Sequence, residues 1–378
     1  MKDKRNEILA GQLLNYSIKL KKGEVLYLEI KGKETLELGK QVIRLATEIG
    51  ATPFWYYSDE SLMRQWLRTA GEDQIKKQAE LHMELMKRAD TYIGLRGSDN
   101  PFDLADIDSG QIEKNNRLFY KPVHLEERVQ KKRWVVLRFP NNAMAQLAET
   151  SQESFEDFYY DVCCADYAKM SKAMDGLLAL MDATDKVRIK APGTDLSFSI
   201  KGIPNVKCDG IRNIPDGEIY TAPVRESING TITYNTPSLK ESTVFTNIRF
   251  KFENGKIIEA SCDGHDEKLN KVLDTDDGAR YIGEFAIGVN PFILHPMKDT
   301  LFDEKIAGSF HLTPGQCYDI APNGNDSAIH WDLIQIQRQE YGGGEIWFDD
   351  KLIRKDGIFT DSDIEKGFSR ENLKGSLS

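Results

Sequence analysis

The chain has 378 residues, 40% hydrophobic and 29% charged, with 60 acidic against 50 basic side chains and a net charge of −10. That length exceeds one ordinary core and suits two domains. An acidic balance disfavours a general nucleic-acid binder, which needs basic surface to neutralise phosphates. No run approaches 18 uncharged apolar residues, and the start, MKDKRNEILAGQLLNYSI, shows no apolar core ahead of a cleavage site. Neither a membrane span nor a standard export signal is expected. Cys163, Cys164, Cys208, Cys262 and Cys317 are odd in number and form no CxxC pair, so reduced thiols in a cytoplasmic protein are the simpler reading.

In chain order, GEVLYLEI reads as a strand, KETLELGKQVIRLATEIG as a helix stopped by Gly50, and TPFWYY as a second strand. DESLMRQWLRT and DQIKKQAELHMELMKRA have helical spacing, and DTYIGLRGS and RWVVLRFP return to strand. This alternation predicts an α/β layer with a largely parallel sheet. From 144 to 184 the pattern is helical, as one or two helices joining two domains. Beyond it the style changes to short turn-bounded strands: KVRIKAPGTDLSFSI, GEIYTAP, GTITYNT, TVFTNIRFKFENGKIIEASC and EIWFDDKLIRKDGIF, with Asn254-Gly255 as a hairpin turn. The expected division is an α/β domain with helical connector over 1–185 and a mostly antiparallel, β-rich (α+β) domain over 186–378. The polar stretch after about 363 is expected to be mobile.

Of six histidines, His265, His295, His311 and His330 fall within 66 residues of the second domain. SAIHWDLIQI, residues 327–336, reads as a strand, which places His330 and Asp332 on one face. Such a pair can offer a nitrogen and an oxygen to one cation, or its members can hydrogen-bond each other or face solvent. Glu284, a lone acid in YIGEFAIG, is equally a ligand or an edge residue, and Glu218 in DGEIYTAP reads more simply as a turn or edge carboxylate. DTDDG lacks the spacing of a calcium loop, GGG at 342–344 lacks a nucleotide fingerprint, and neither HExxH nor G-x-S-x-G occurs.

The succession PGTDLSFSI, NIPDGEIYTAP, ARYIGEFAIGVNP, TLFDEKIAGSFHLTPG and SAIHWDLI, in order over about 140 residues, resembles the thermophilic metallo-aminopeptidase family. KRADTYIGLRGSDNPFDL and FEDFYYDVCCADYAKMSKAM resemble its first domain and connector, so the likeness covers most of the chain. The resemblance implies two divalent metal ions held by Glu218, Glu284, Glu304, His311, His330 and Asp332, with Tyr318 beside them. It implies release of N-terminal residues from peptides, through a water bridged between the ions with Glu284 as shared ligand and Tyr318 as donor to the developing oxyanion. It also implies a homodimer. Zinc, cobalt, manganese and magnesium all suit this ligand set. The chain departs from the family pattern in a shorter connection from His311 to His330 and in Glu304 lying two residues further from His311. Two alternatives are a dinuclear phosphoesterase or amidase, for which Arg280, Lys298 and Lys305 are the basic candidates, and a catalytically silent metal-binding relative.

Overall fold

A computed structural model describes residues 3–98, 100, 103–240 and 243–375. The chain divides into two compact units. One comprises the chain up to Ala165 together with Gly210–Pro215, and the other comprises Asp166–Asp209 and Asp216–Lys374.

The first unit contains a parallel sheet with strands in the order Thr52–Ser58, Val25–Lys31, Thr91–Arg96, Arg133–Arg138 and Asn213–Ile214. The central strands are nearly all apolar and buried, as a sheet covered on both faces requires. The helix Leu36–Ile49 ends where Gly50 adopts a left-handed φ of 86°, returning amide bonds to Ala46 and Thr47. Asp59 caps the next helix, Glu60–Thr69, through the Ser61 amide.

The region expected as one or two connector helices is three: Asn142–Leu147, Gln152–Cys163 and Tyr167–Asp182. Asn141, Ser151 and Asp166 each accept a hydrogen bond from a first-turn amide, so each starts a new helix where apolar spacing alone reads as continuous. The last of the three lies within the second unit.

The second unit is built on two antiparallel sheets. The larger has eight strands, in the order Lys256–Ser261, Arg249–Glu253, Asn229–Thr233, Thr194–Ser199, Lys186–Ala191, Glu345–Phe348, Lys351–Lys355 and Ile358–Phe359. Asn254 and Gly255 close one of its hairpins with φ of 47° and 82°, the left-handed pair of a type I′ turn. The smaller has five, in the order Leu333–Ile336, Ser309–Pro314, Ile282–Gly288, Glu218–Thr221 and Val206–Cys208. Phe198 of the larger sheet meets Phe285 of the smaller edge to face at 5.0 Å between ring centroids, which fixes which face of the smaller sheet is core.

Two expectations need correction. The segment after 363 forms, as far as residue 375, the helices Ser362–Gly367 and Arg370–Leu373, capped by Asp361 and Ser369 and anchored by fully buried Leu373, and residues 376–378 lie outside the described residues. The strand expected over 327–336 begins only at Leu333. His330 instead makes an isolated bridge to Gly315, and the Trp331 amide donates to the Pro314 carbonyl at 3.2 Å, so the pair rides on the lead-in to the strand.

Candidate metal centre

Strand alternation builds the site. With Phe285 and Leu312 turned to the core, their neighbours Glu284, Ala286, Gly288, His311 and Thr313 share the opposite face. The register sets Ala286 beside His311 and Tyr220, Glu284 beside Thr313, and Gly288 beside Glu218. Small residues at 286 and 288 leave room above the sheet for acids and imidazoles to converge.

They converge in two groups. In the first, His330 Nε2 lies 3.2 Å from Glu284 and 3.3 Å from Asp332, and His311 Nε2 lies 3.5 Å from Glu284 and 4.0 Å from Asp332. Donor atoms of Glu284, His330 and Asp332 all fall within 4.8 Å of one another. In the second, Lys305 Nζ lies 3.3 Å from Glu218 and 3.9 Å from Asp216, in close contact with Glu304. Cys208 joins Asp216 and Glu218 there, again with donor atoms within 4.8 Å. The other nitrogen of His311, Nδ1, faces Glu218 at 3.8 Å across the gap between the groups.

The first group fits a cation. His330 Nδ1 donates to the Gln316 carbonyl at 2.8 Å, which leaves Nε2 turned to the carboxylates. Gly315 makes that placement possible: its φ is 108°, and a side chain there would meet the Ile329 carbonyl at 2.1 Å. Thr313 donates to Asp332 at 2.7 Å, holding the carboxylate. Burial by itself would lower His330, but Asp332 and Glu284 outweigh it and push its pKa up to about 11. His311 is also raised, with burial opposed by Glu284, Glu218 and Asp332. Burial would raise Asp332, yet His330, His311 and Thr313 hold it well below the usual carboxylate range. Carboxylates that draw protons onto two buried imidazoles form a negative surplus that a divalent ion can relieve by displacing those protons.

The second group is different, because a cation is already part of it. Lys305 is fully buried, and although burial lowers an ammonium's pKa, Glu218, Asp216 and Cys208 raise it above the ordinary value. Glu304 is turned to this ammonium. Buried Glu218 Oε2 and His311 Nδ1 have no hydrogen-bond partner among the described residues.

Tyr318 stands at the rim, 46% exposed, with its ring 4.9 Å from the His330 ring and 5.3 Å from Tyr220. A phenol with its ordinary pKa of about 10 is protonated at neutral pH, and partial loss of solvent with the charges of Glu284, Asp332 and Glu218 shifts Tyr318 further in that direction, so it is able to donate. Reading the sequence singled out neither Asp216, Cys208 nor Thr313, and took Lys305 only for a basic residue open to phosphate. The one available signal was its place in DEKIAG, flanked by acids and then by an apolar run. Arg280, read the same way, pairs with Asp274 at 2.6 Å.

The fold and this acid-rich face define a metal-binding α/β plus antiparallel-β protein. The chain belongs to the thermophilic metalloprotease (M29) family, whose model matches residues 2–356. It is 27% identical over 380 residues to aminopeptidase T of Thermus thermophilus, covering 88% of this chain and 92% of that one. It is 24% identical over 385 residues to aminopeptidase 2 of Geobacillus stearothermophilus, with 88% and 92% covered. The solved structure of wild-type AmpT from Thermus thermophilus superposes with a TM-score of 0.76 at 23% identity, covering 94% of this chain and 99% of that one. A 2,5-dihydroxypyridine dioxygenase from Pseudomonas putida shares the fold at a TM-score of 0.60 and 11% identity, with 95% and 98% covered. One architecture thus carries different chemistries, and function has to be argued from the site.

Proposed function

We propose that the protein is a metal-dependent aminopeptidase acting on peptides with a free N-terminus. The observation that carries this reading is the convergence of two carboxylates and two imidazoles, Glu284, Asp332, His311 and His330, on one point, in a chain of this metalloprotease family. Glu284, His311, His330 and Asp332 would hold a divalent ion, which would supply Lewis-acid polarisation of the scissile carbonyl and a lowered pKa for the attacking water.

The chain's own residues do the rest. Glu284 turns one oxygen to His311 and the other to His330, and would hold the ion from between the two imidazoles. The Tyr318 hydroxyl donates a hydrogen bond to the carbonyl oxygen as negative charge develops on it. A substrate α-amine, with an ordinary pKa of about 7.7–8.0, is drawn to the carboxylate surplus, which selects chain ends over internal bonds. A homodimer is the assembly we propose for restricting access to small substrates; light scattering that finds a monomer at active concentrations would remove it.

A phosphoesterase is the weaker reading, since Arg280 and Lys305 are both held by carboxylates. The deciding experiment strips the protein with chelator and reloads it separately with zinc, cobalt, manganese or magnesium. Release of the first residue from a short peptide, returning with metal and absent for the N-acetylated peptide, is expected. Folded, reloaded protein that leaves peptides intact but cleaves a phosphate ester would replace the proposal.

A further inference from the structure

We propose that the ammonium of Lys305 takes the place of the second cation of the expected pair, so that the chain binds one divalent ion, at Glu284, His311, His330 and Asp332. The inference rests on the metal-site reading above and changes its stoichiometry. Of the residues that the family resemblance offers as ligands, Glu218 and Glu304 are the two that face this nitrogen, together with Asp216. Cys208, Asp216 and Glu218 present donor atoms close enough to hold an ion. That ion would share its carboxylates with a positive charge at ion-pair distance, in a place where Lys305 is 0% exposed and water does not screen the repulsion.

The backbone holds the base of the lysine against the sheet. Gly288 ends its strand without a side chain, and a Cβ there would lie 2.5 Å from the Ile306 carbonyl and 2.6 Å from Ser309 Oγ. The segment carrying Lys305 can therefore press against the sheet. The Asn290 amide donates to the Lys305 carbonyl at 3.0 Å, and Asn290 and Ile306 form a bridge, which pins it there. The side chain is delivered inward by main-chain contacts.

This arrangement gives Glu218 a different task. With one oxygen on Lys305 and the other facing His311 Nδ1, it stands behind the imidazole and directs Nε2 toward Glu284 and Asp332. At 3.8 Å the contact is electrostatic and not a hydrogen bond, and Glu218 is then a positioning residue that acts on the imidazole through its charge.

The test is metal counting on the whole chain, stripped and dialysed to equilibrium against Co²⁺ alone, with the visible cobalt spectrum recorded in parallel. Wild type should hold one ion per chain, Glu218→Gln should still hold one, and Lys305→Met should take up a second with a second set of cobalt bands. Two ions in wild type, falling to one in Glu218→Gln, would overturn the inference, as would Lys305→Met folding normally and staying at one. Should Lys305→Met not fold, the counts for wild type and Glu218→Gln decide by themselves. No bound cobalt in any form would remove the metal site itself, a different result from finding two ions.

Discussion

Each unit buries a cluster of charges, and the two clusters differ in sign. In the first unit, Glu29 is bound by Arg96 at 3.1 Å and by the Tyr92 hydroxyl, and Arg128 lies over the Trp134 ring at 4.4 Å and the Tyr92 ring at 5.1 Å. His124 is kept neutral, its pKa pushed down to about 4 chiefly by burial. Arg96 is answered by Glu29, while Arg128 has aromatic faces but buries Nε and Nη1 without a hydrogen-bond partner among the described residues, so the excess in this cluster is positive. In the second unit, Asp216, Glu218, Glu284, Glu304 and Asp332 are set against Lys305 and two imidazoles. A buried acid surplus is costly unless a cation joins it, so the imbalance marks the functional cluster.

The largest effects should come from removing first-group carboxylate. Asp332→Asn is expected to release the ion and cut turnover by about a thousandfold or more, because several kcal/mol of charge stabilisation go with it. Melting temperature in chelator should fall, since the change removes the carboxylate that pairs with His330 and accepts from Thr313. Full metal content with an unaltered rate would sink Asp332 as a ligand. Tyr318→Phe should keep the ion and slow turnover by roughly a hundredfold, the usual worth of one oxyanion donor; loss of metal would instead make Tyr318 a ligand.

How much of this contrast was legible beforehand depends on range. The four main strands of the first unit and the helices between residues 36 and 88 are readable because their signals are local: apolar runs, Gly50, and Asp59 before its helix. The helices Arg5–Gln12 and Ser109–Asn115, short and weakly patterned, are not. His330 and Asp332 were readable as a pair because they are two residues apart. Their convergence with Glu284 and His311 needs the register of strands about 20 to 50 residues distant in sequence, which no local pattern encodes. Lys305 stands in the sequence only as a basic candidate for the alternative phosphate substrate, and in the fold it faces carboxylates instead. Its burial follows from the bare face of Gly288 and from the register that sets Gly288 beside Glu218. An expectation of one or two helices allows at most one of the breaks at Ser151 and Asp166, because a capping side chain ends a helix without interrupting the apolar spacing.

A smaller effect separates ligands from their supports. Thr313 touches Asp332 without belonging to the converging donor set. Thr313→Val should weaken metal affinity by about 10- to 100-fold while leaving the rate at saturating metal close to wild type. A rate deficit that excess metal does not restore would give Thr313 a part in the reaction.

The smallest effect belongs to the first unit and should ignore metal altogether. His124 packs among Tyr92, Phe119 and Tyr120, and its depressed pKa means that the unfolded chain takes up a proton below about 6.5 while the folded chain resists until about 4. Stability is therefore present above pH 6.5 and lost as pH falls toward 4, by about 1 kcal/mol between pH 7 and 5.5. His82, lowered by burial as well, contributes with the same sign. His124→Phe keeps a ring in place and should flatten most of this slope, read from hydrogen exchange of the strand Thr91–Arg96, with chelator present or absent. An unchanged slope in that variant would assign the acid sensitivity elsewhere, and a slope that vanished on adding metal would tie the first unit to the second unit's cation.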